Sequence, residues 1–286
     1  YLITRKPFFL FFHGEEIPQI KLRSNIIARF IYLQSSGAFC NSVFTANRLS
    51  KFVVPGSMNP KIIYPGVEER FFSDESVDRI RARLGLEGKR IIYTIARLDE
   101  RKGQDMVIKA LPFVIKEYPN TVYLIGGLGP RINYLKQLVR EMLLEEYVRF
   151  LGFIQDSDLL AYHKLGEVFV MPNRILEDGD SEGFGIVFLE ANAVGNPVIG
   201  GHEGGSVDAI DNEVSGYLVD PRNERDIAEK ICMFLDDESE RKRLGQQGRN
   251  RAWEKFRWCK SSQVFQEALI TFSQQHNKRR GLWGIQ

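Results

Sequence analysis

Cysteine and long apolar runs are both scarce in this chain. The 286 residues include three scattered cysteines, an odd number that fits neither a disulfide framework nor a metal site and indicates a reducing cytosol. The longest apolar run, Phe8–Phe12, has the length of a buried strand and not that of a membrane span. Tyr1–Pro7 lacks the apolar core and cleavage site of a signal peptide. We therefore expect a cytoplasmic location.

Patterns typical of metal ligands are missing as well. The four histidines form no cluster with ligand spacing, and no Asp-x-Asp motif occurs. We therefore expect no protein-bound metal, and no other pattern predicts a resident cofactor.

Positive charge is concentrated at one end of the chain. The net charge is only +2, yet residues 1–62 hold eight lysines and arginines against two glutamates, which gives +6 and leaves −4 for the remainder. This distribution predicts an anionic partner for the N-terminal part alone. The predicted helix 24–34 places Ile26, Ile27, Phe30 and Ile31 close together beside basic residues. One hypothesis is that this helix docks on an anionic membrane surface, and the preferred alternative is an ordinary core-facing helix.

From about residue 89 onward, short apolar runs alternate with helical patterns. Strands are predicted at 90–96, 121–126, 148–151, 168–171, 197–200 and 216–219. Helices are predicted at 103–118, 131–146, 157–164, 184–194, 205–211, 224–236, 238–253 and 257–275. The alternation predicts an α/β fold with a doubly wound parallel sheet. In such sheets, ligands bind beyond the carboxyl ends of the strands.

The first 72 residues have the pattern of a second, incomplete unit. Strands are predicted at 8–12, 38–40 and 61–63, with helices at 24–34 and 44–52. A sheet of only two or three strands would be marginally stable by itself.

The strongest signal of a functional site is a pair of glutamates. Glu182 and Glu190 stand eight residues apart, with Gly183 and Gly185 between them. The first turn of the predicted helix 184–194 offers free N–H groups and a positive dipole end, which suit an anion such as phosphate. On a helix the two carboxylates point about 80° apart, so we expect them to contact different parts of one ligand. The alternative is two solvated acids near a helix start.

A basic pair follows the first strand of the large unit. Arg97 comes directly after the strand 90–96, and Lys102 precedes the next helix. Together they can clamp a diphosphate and neutralise charge on a departing nucleotide. A solvated loop is an equal alternative. If the clamp exists, replacing either residue by alanine should weaken nucleoside diphosphate binding without unfolding the domain.

Two weaker signals lie at other strand ends. The loop 126–130 is glycine-rich and opens a helix, but it lacks the G-x-G-x-x-G spacing of a dinucleotide fingerprint. His13 ends an apolar strand beside Gly14. A lone histidine is more often structural than catalytic, and the position of His13 at the mouth of a sheet is what strengthens the functional interpretation. The sequence gives less support for a functional role of His163 or His202.

Taken together, these residues resemble family 4 of the retaining glycosyltransferases, which have the GT-B fold of two Rossmann-like domains with a cleft between them. The matching features are Ala96-Arg97, Lys102-Gly103, Gly127–Pro130, Leu151–Phe153, Met171-Pro172, Glu182 with Glu190, Asn196–Ile199 and Gly204-Gly205. They keep the family's order from about residue 61 to 258. Within the family, the chain is similar to enzymes that mannosylate phosphatidylinositol and to bacterial surface-glycan transferases.

The resemblance implies a role for each matching residue. Arg97 and Lys102 would bind the donor diphosphate and stabilise it as the leaving group. Glu182 would contact the transferred sugar, His13 would lie over that sugar near the acceptor, and Glu190 would hold the ribose hydroxyls. Further substrate contacts are implied for Phe153 and Ile154 at the nucleobase and for Gly129, Gly183, Phe184 and Gly185.

The resemblance also implies a reaction and a domain organisation. A hexose would move with retention from a nucleotide-sugar, GDP-mannose or UDP-hexose, to a glycan or lipid-linked acceptor, without a cofactor or metal. An incomplete acceptor-side domain would span 1–72, a nucleotide-sugar-binding domain 73–256, and a helix crossing back 257–286. No nucleic acid is expected as a partner. The protein would be located in the cytoplasm, and a peripheral position at the inner face of the cell membrane is the alternative.

Two other classes of function stay open at this point. A truncated relative could hold a nucleotide-sugar without transferring it. An NAD-dependent Rossmann oxidoreductase is the second alternative, against which stand the weak glycine fingerprint and the basic pair.

Overall fold

The computed structural model describes residues 6–14, 16–17, 25–51 and 59–282, and its strands form two parallel sheets. The smaller sheet has the order β1-β2-β3, and the larger has the order β6-β5-β4-β7-β8-β9. The strands are β1 (Phe9–Phe12), β2 (Gly37–Cys40), β3 (Lys61–Ile62), β4 (Arg90–Ile95), β5 (Thr121–Gly126), β6 (Val148–Gly152), β7 (Val168–Met171), β8 (Val198–Gly201) and β9 (Gly216–Val219). The predicted α/β fold with parallel sheets is confirmed.

Helices connect the strands and cover the sheets. They are α1 (Asn25–Gln34), α2 (Val43–Ser50), α3 (Asp78–Arg83), α4 (Gln104–Glu117), α5 (Ile132–Glu141), α6 (Asp156–Leu165), α7 (Ile186–Ala193), α8 (Ser206–Ala209), α9 (Glu224–Asp236), α10 (Glu238–Lys255) and α11 (Trp258–Leu282). Short 3₁₀ turns lie at Glu69–Phe72 and Glu100–Lys102.

The larger sheet is buried on both faces because its strands alternate side chains between two apolar clusters. Ile92 of β4 belongs to one cluster, together with Leu111 of α4 and Ile231 of α9. The neighbouring Tyr93 belongs to the other, together with Phe188 of α7. Each such fully buried side chain contributes roughly 1.5–3 kcal/mol through the hydrophobic effect.

The smaller sheet is stabilised by the C-terminal helix α11. Phe39 of β2 packs with Ile63, Ala268 and Phe272 in one cluster, and the rings of Phe39 and Phe272 lie 5.5 Å apart. Gly37 is required at this contact, since a Cβ there would stand 2.2 Å from the Phe272 ring. The last helix therefore packs on the N-terminal sheet, while the predicted division at residues 72 and 256 stays a prediction.

Two predicted elements differ from the structure for local reasons. The helix predicted at 184–194 is α7, which begins only at Ile186 because Gly185 adopts a left-handed conformation with φ 90°. The helix predicted at 131–146 is α5, which ends at Glu141, close to the positive φ of 57° at Leu143.

The preferred interpretation of helix 24–34 as core-facing was wrong for the described part of it, α1. Ile26 is 81% exposed and Ile27 62% exposed, and Phe30 and Ile31 are exposed as well. Their spacing therefore marks an apolar surface. Within the described ranges, none of the helices combines the length and the apolarity that crossing a bilayer requires.

Candidate active site

The order of the larger sheet places the candidate site. The chain adds β5 and β6 on one side of β4 and then returns to place β7 on the other side. The loops that follow β4 and β7 therefore diverge at a topological switch point, where doubly wound sheets bind their ligands. Arg97 and Lys102 lie after β4, and Glu182 lies after β7.

One cavity, of about 520 Å³, lies between the two sheets and includes five of the predicted residues. These are His13, Glu182, Gly183, Phe184 and Gly185. The remaining wall includes four aromatic side chains, Phe11, Tyr64, Trp258 and Phe265. The His13 ring stacks on the Phe11 ring with centroids 4.7 Å apart, and both rings line the cavity.

A second cavity, of about 560 Å³, lies over the carboxyl ends of β4 to β6 and includes five more predicted residues. These are Arg97, Gly129, Phe153, Ile154 and Glu190. The two cavities flank the start of α7, because Ile186 lines the first and its neighbour Val187 lines the second. The two glutamates therefore face adjacent cavities on either side of one helical turn.

Lys102 links the two loops that meet at the switch point. Its ammonium group pairs with the Glu182 carboxylate, and both side chains are nearly buried, at 11% and 12% exposed. The Glu182 carboxylate also accepts a hydrogen bond from the backbone N–H of Phe184. Burial acts to raise the pKa of Glu182, but the charges of Lys102 and Arg101 and these hydrogen bonds more than offset it and hold the pKa below its usual value. Glu182 is therefore ionised at neutral pH.

Arg97 is held more loosely than Lys102. Its side chain is 73% exposed and pairs with Asp99 at 3.1 Å, while its carbonyl oxygen accepts a hydrogen bond from Gln104. The two cations therefore contact different acids, Lys102 beneath the first cavity and Arg97 beside the second. An exposed guanidinium can leave a surface ion pair at small cost and reach a bound anion.

The glycines of the Glu182 loop bring the two sheets together. A Cβ on Gly183 would lie 2.1 Å from the carbonyl oxygen of His13. That carbonyl accepts a hydrogen bond from Asn41, and the carbonyl of Gly183 accepts one from Ser42 at 2.6 Å. The sequence suggested that Gly183 bares the backbone for an anion, and the structure adds that it permits this close packing.

Sequence reasoning missed the residues that hold this loop from the N-terminal side. Asn41 and Ser42 follow β2 at its carboxyl end, the same kind of position that drew attention to Arg97 and His13.

Sequence reasoning also missed Asn173, which follows β7 in the larger sheet. It is fully buried, and its side-chain amide forms hydrogen bonds with Gly201, Glu203 and Ser206. In parallel sheets, ligands bind beyond the carboxyl ends of the strands. A search for every polar residue that follows a predicted strand could therefore have found Asn41, Ser42 and Asn173.

The described residues contain no group of three or more histidine, cysteine or acidic side chains arranged to hold a metal ion.

A parallel switch-point site that faces a second sheet across a cavity defines an α/β protein of the GT-B type. Residues 76–251 match the family described as Glycosyl transferases group 1, and the chain therefore belongs to that family.

Curated relatives agree with this membership. The GDP-mannose-dependent alpha-(1-6)-phosphatidylinositol monomannoside mannosyltransferase of Mycobacterium tuberculosis is 32% identical over 220 residues, which cover 76% of this chain and 57% of the relative. Spore coat protein SA of Bacillus subtilis is 29% identical, with 69% of this chain and 55% of the relative covered. The chain thus spans little more than half the length of these relatives.

Solved structures show the same fold. Anabaena HepE, solved with UDP and glucose, superposes with a TM-score of 0.81 at 21% identity, and covers 96% of this chain and 73% of its own. The C-terminal domain of LpcC from Francisella tularensis has a TM-score of 0.59 at 26% identity, with 68% of this chain and all of the domain covered.

Because Lys102 is nearly buried, we expect its replacement to affect the stability of the fold. Lys102→Met should lower the free energy of unfolding by about 3–5 kcal/mol at neutral pH, because Glu182 stays buried without its cation. In the unaltered protein the lowered pKa makes the Glu182 contribution present above pH 4.5 and lost as the pH falls. In the variant, burial raises the pKa of Glu182, so stability falls as the pH rises. Denaturant titrations from pH 4 to pH 8 should therefore show a difference that grows with pH.

Two variants control this experiment. Arg97→Met removes a mostly exposed cation from the same loop and should change stability by less than about 1 kcal/mol. Lys102→Met combined with Glu182→Gln should recover part of the loss. A difference between Lys102→Met and the unaltered protein that does not vary with pH would contradict the ion-pair explanation.

Proposed function

We propose that this chain carries the donor-binding half of a retaining, metal-independent glycosyltransferase that moves a hexose from a nucleotide-sugar to a glycan or lipid-linked acceptor. One observation carries the proposal above all. Two cavities adjoin at the start of α7, one lined by Arg97 and Glu190 and the other by His13 and Glu182, and Glu182 is held by its buried pair with Lys102. A ligand bound across the start of α7 would have its leaving group on one side and its reacting carbon on the other.

The second cavity has the features that a nucleoside diphosphate requires. Its volume of about 560 Å³ falls in the range of small-molecule sites. Phe153 is 65% exposed and offers an apolar surface to a base, while Glu190 can accept hydrogen bonds from ribose hydroxyls. Arg97 supplies a forked cation for the diphosphate. Gly129 lets the loop pack against Leu98, since a Cβ there would stand 2.6 Å from that backbone.

The first cavity supplies the groups for the transfer step. Glu182 is ionised, so it accepts hydrogen bonds from sugar hydroxyls and stabilises positive charge that develops at the anomeric carbon. Its pairing with Lys102 suits this role better than that of a general acid, which must carry a proton. His13, at the end of β1 in the smaller sheet, lines the same cavity. We assign it to the sugar and the acceptor.

The donor that we propose first is GDP-mannose, since the name of the M. tuberculosis relative specifies that donor. A UDP-hexose is the second candidate. A binding module that holds the nucleotide-sugar without transferring it is the alternative function, and the experiments below separate the two.

Donor binding should depend on Arg97. Titration calorimetry with GDP, UDP and their sugars should show binding of GDP and GDP-mannose. Arg97→Ala should weaken it about 10- to 100-fold, because a charge-assisted hydrogen bond is lost. Arg149→Ala removes the same charge outside both cavities and should leave the affinity unchanged. Equal affinity in Arg97→Ala and the unaltered protein would contradict the diphosphate role.

Sugar transfer should depend on Glu182 far more than nucleotide binding does. Glu182→Gln keeps the shape of the side chain and removes its charge, so transfer from labelled GDP-mannose to lipid and glycan acceptors should fall about 100-fold or more. GDP affinity should change little. Equal losses in transfer and binding would argue for a structural role. Donor binding without any transfer by the unaltered protein would favour the binding module, and the anomeric configuration of a product tests retention.

We also propose that the protein works in the cytoplasm and contacts an anionic membrane surface at its inner face through α1. The exposed side chains Ile26, Ile27, Phe30 and Ile31 form an apolar surface on a part of the chain that carries a net charge of +6. Apolar insertion and attraction to anionic lipid together determine the strength of such binding.

Vesicle sedimentation tests this contact. The protein should sediment with vesicles that contain anionic lipid at low salt and should remain in solution with neutral vesicles. Ile27→Glu should remove most of the bound fraction, whereas Ile270→Glu changes another exposed isoleucine, on α11, and should have no effect. Identical sedimentation with both lipids would eliminate the proposal.

A further inference from the structure

A fully buried histidine lies behind the second cavity. His163 of α6 is 0% exposed and is enclosed by the aromatic rings of Phe71, Tyr93 and Phe169. Its Nδ1 atom lies 3.1 Å from the hydroxyl oxygen of Tyr93. Its Nε2 atom finds no hydrogen-bond partner among the described residues, and it lies 3.7 Å from the carboxylate of Glu190.

The neighbouring hydrogen bonds determine which ring nitrogen carries the proton. The side-chain nitrogen of Asn196 lies 2.7 Å from the backbone carbonyl of His163, which can only accept, so the amide orientation is fixed. The same nitrogen lies 3.0 Å from the Tyr93 hydroxyl oxygen and donates to it. The Tyr93 proton is then free to point at Nδ1 of His163, which accepts it.

A neutral imidazole that accepts at Nδ1 carries its proton at Nε2. That N–H points toward Glu190, whose carboxylate can only accept when it is ionised. The opposite tautomer would direct the Nε2 lone pair at the negatively charged carboxylate and would leave the Tyr93 proton without an acceptor at Nδ1. The arrangement Asn196–Tyr93–His163 therefore favours a donor aimed at Glu190.

We propose that His163 is a positioning residue that orients the Glu190 carboxylate for the ribose hydroxyls of the nucleotide donor. The separation of 3.7 Å is just beyond hydrogen-bond distance, so a small rotation of the Glu190 side chain closes it. One carboxylate oxygen then bonds His163, and the other faces the second cavity, which Glu190 lines. The inference rests on the ribose role that we propose for Glu190.

A purely structural role accounts for only one of the two ring nitrogens. Nδ1 accepts the Tyr93 proton, which an apolar ring could not do, but this bond makes no use of the buried N–H at Nε2. Burial of an imidazole with one unused donor is costly, and that donor is directed at an acidic residue of a candidate binding site.

The test compares ribose recognition in matched variants of the whole chain. Calorimetry measures the affinity for GDP and for its 2′-deoxy and 3′-deoxy analogues. The ratio of the GDP affinity to that of each analogue is the discrimination for the missing hydroxyl. The unaltered protein should bind GDP at least about tenfold more tightly than one of the analogues, as expected for a hydrogen bond to a charged group. Glu190→Gln should lose most of this discrimination. His163→Phe should lose it as well, with little change in affinity for the deoxy analogue, and His163→Gln, which restores an N–H donor, should recover part of it.

The outcomes separate the inference from the function on which it depends. Loss of discrimination in Glu190→Gln but full discrimination in His163→Phe would overturn the role of His163 and leave the proposed function intact. Full discrimination in Glu190→Gln, or no nucleotide binding by the unaltered protein, would overturn the ribose role and the inference with it. If His163→Phe fails to fold, ¹⁵N NMR of the unaltered protein decides. The Nε2–H tautomer at His163 is expected, and the Nδ1–H tautomer would overturn the proposal.

Discussion

The buried ion pair between Lys102 and Glu182 is the interaction on which the candidate site depends. The two residues are 80 positions apart in the chain and meet because β4 and β7 are neighbours at the point where the strand order reverses. Burial alone would raise the pKa of the Glu182 carboxylate, and the charges of Lys102 and Arg101 with the Phe184 N–H hold it below its usual value. The pair thereby keeps Glu182 ionised and ties the two loops of the switch point together.

The same loop also couples the two sheets. Lys102 holds Glu182 from the side of the larger sheet, while Ser42, after β2 of the smaller sheet, donates a hydrogen bond to the carbonyl of Gly183. Gly183 permits this approach, because any larger residue would collide with the His13 carbonyl. The position of the proposed sugar-binding carboxylate relative to His13 is thus set by this close backbone packing together with the buried side chains of Lys102 and Ser42.

The sequence predicted the architecture well because short apolar runs that alternate with helical patterns over short connections leave few alternatives. β5 and β9 were predicted with the bounds that the structure has, since each is a short apolar run between turn residues. Features that depend on tertiary contacts could not be predicted in this way. The exposure of α1, the separate partners of Arg97 and Lys102, and the direction of the buried His163 ring all depend on which elements pack together. A lone histidine has no neighbouring pattern in the chain that would reveal its contact with Glu190, 27 residues further on.

Helix α7 relates the two cavities geometrically. Glu182 lies in the loop just before the helix, whereas Glu190 lies one turn after Ile186, a rise of about 6 Å. Phe188 and Leu189 are fully buried between them, so the helix is anchored in the close-packed core. A donor that contacts both carboxylates must therefore span a fixed separation across the helix start. A diphosphate placed there would meet the positive end of the helix dipole, which stabilises the charge that forms on the leaving group as the bond to the sugar breaks.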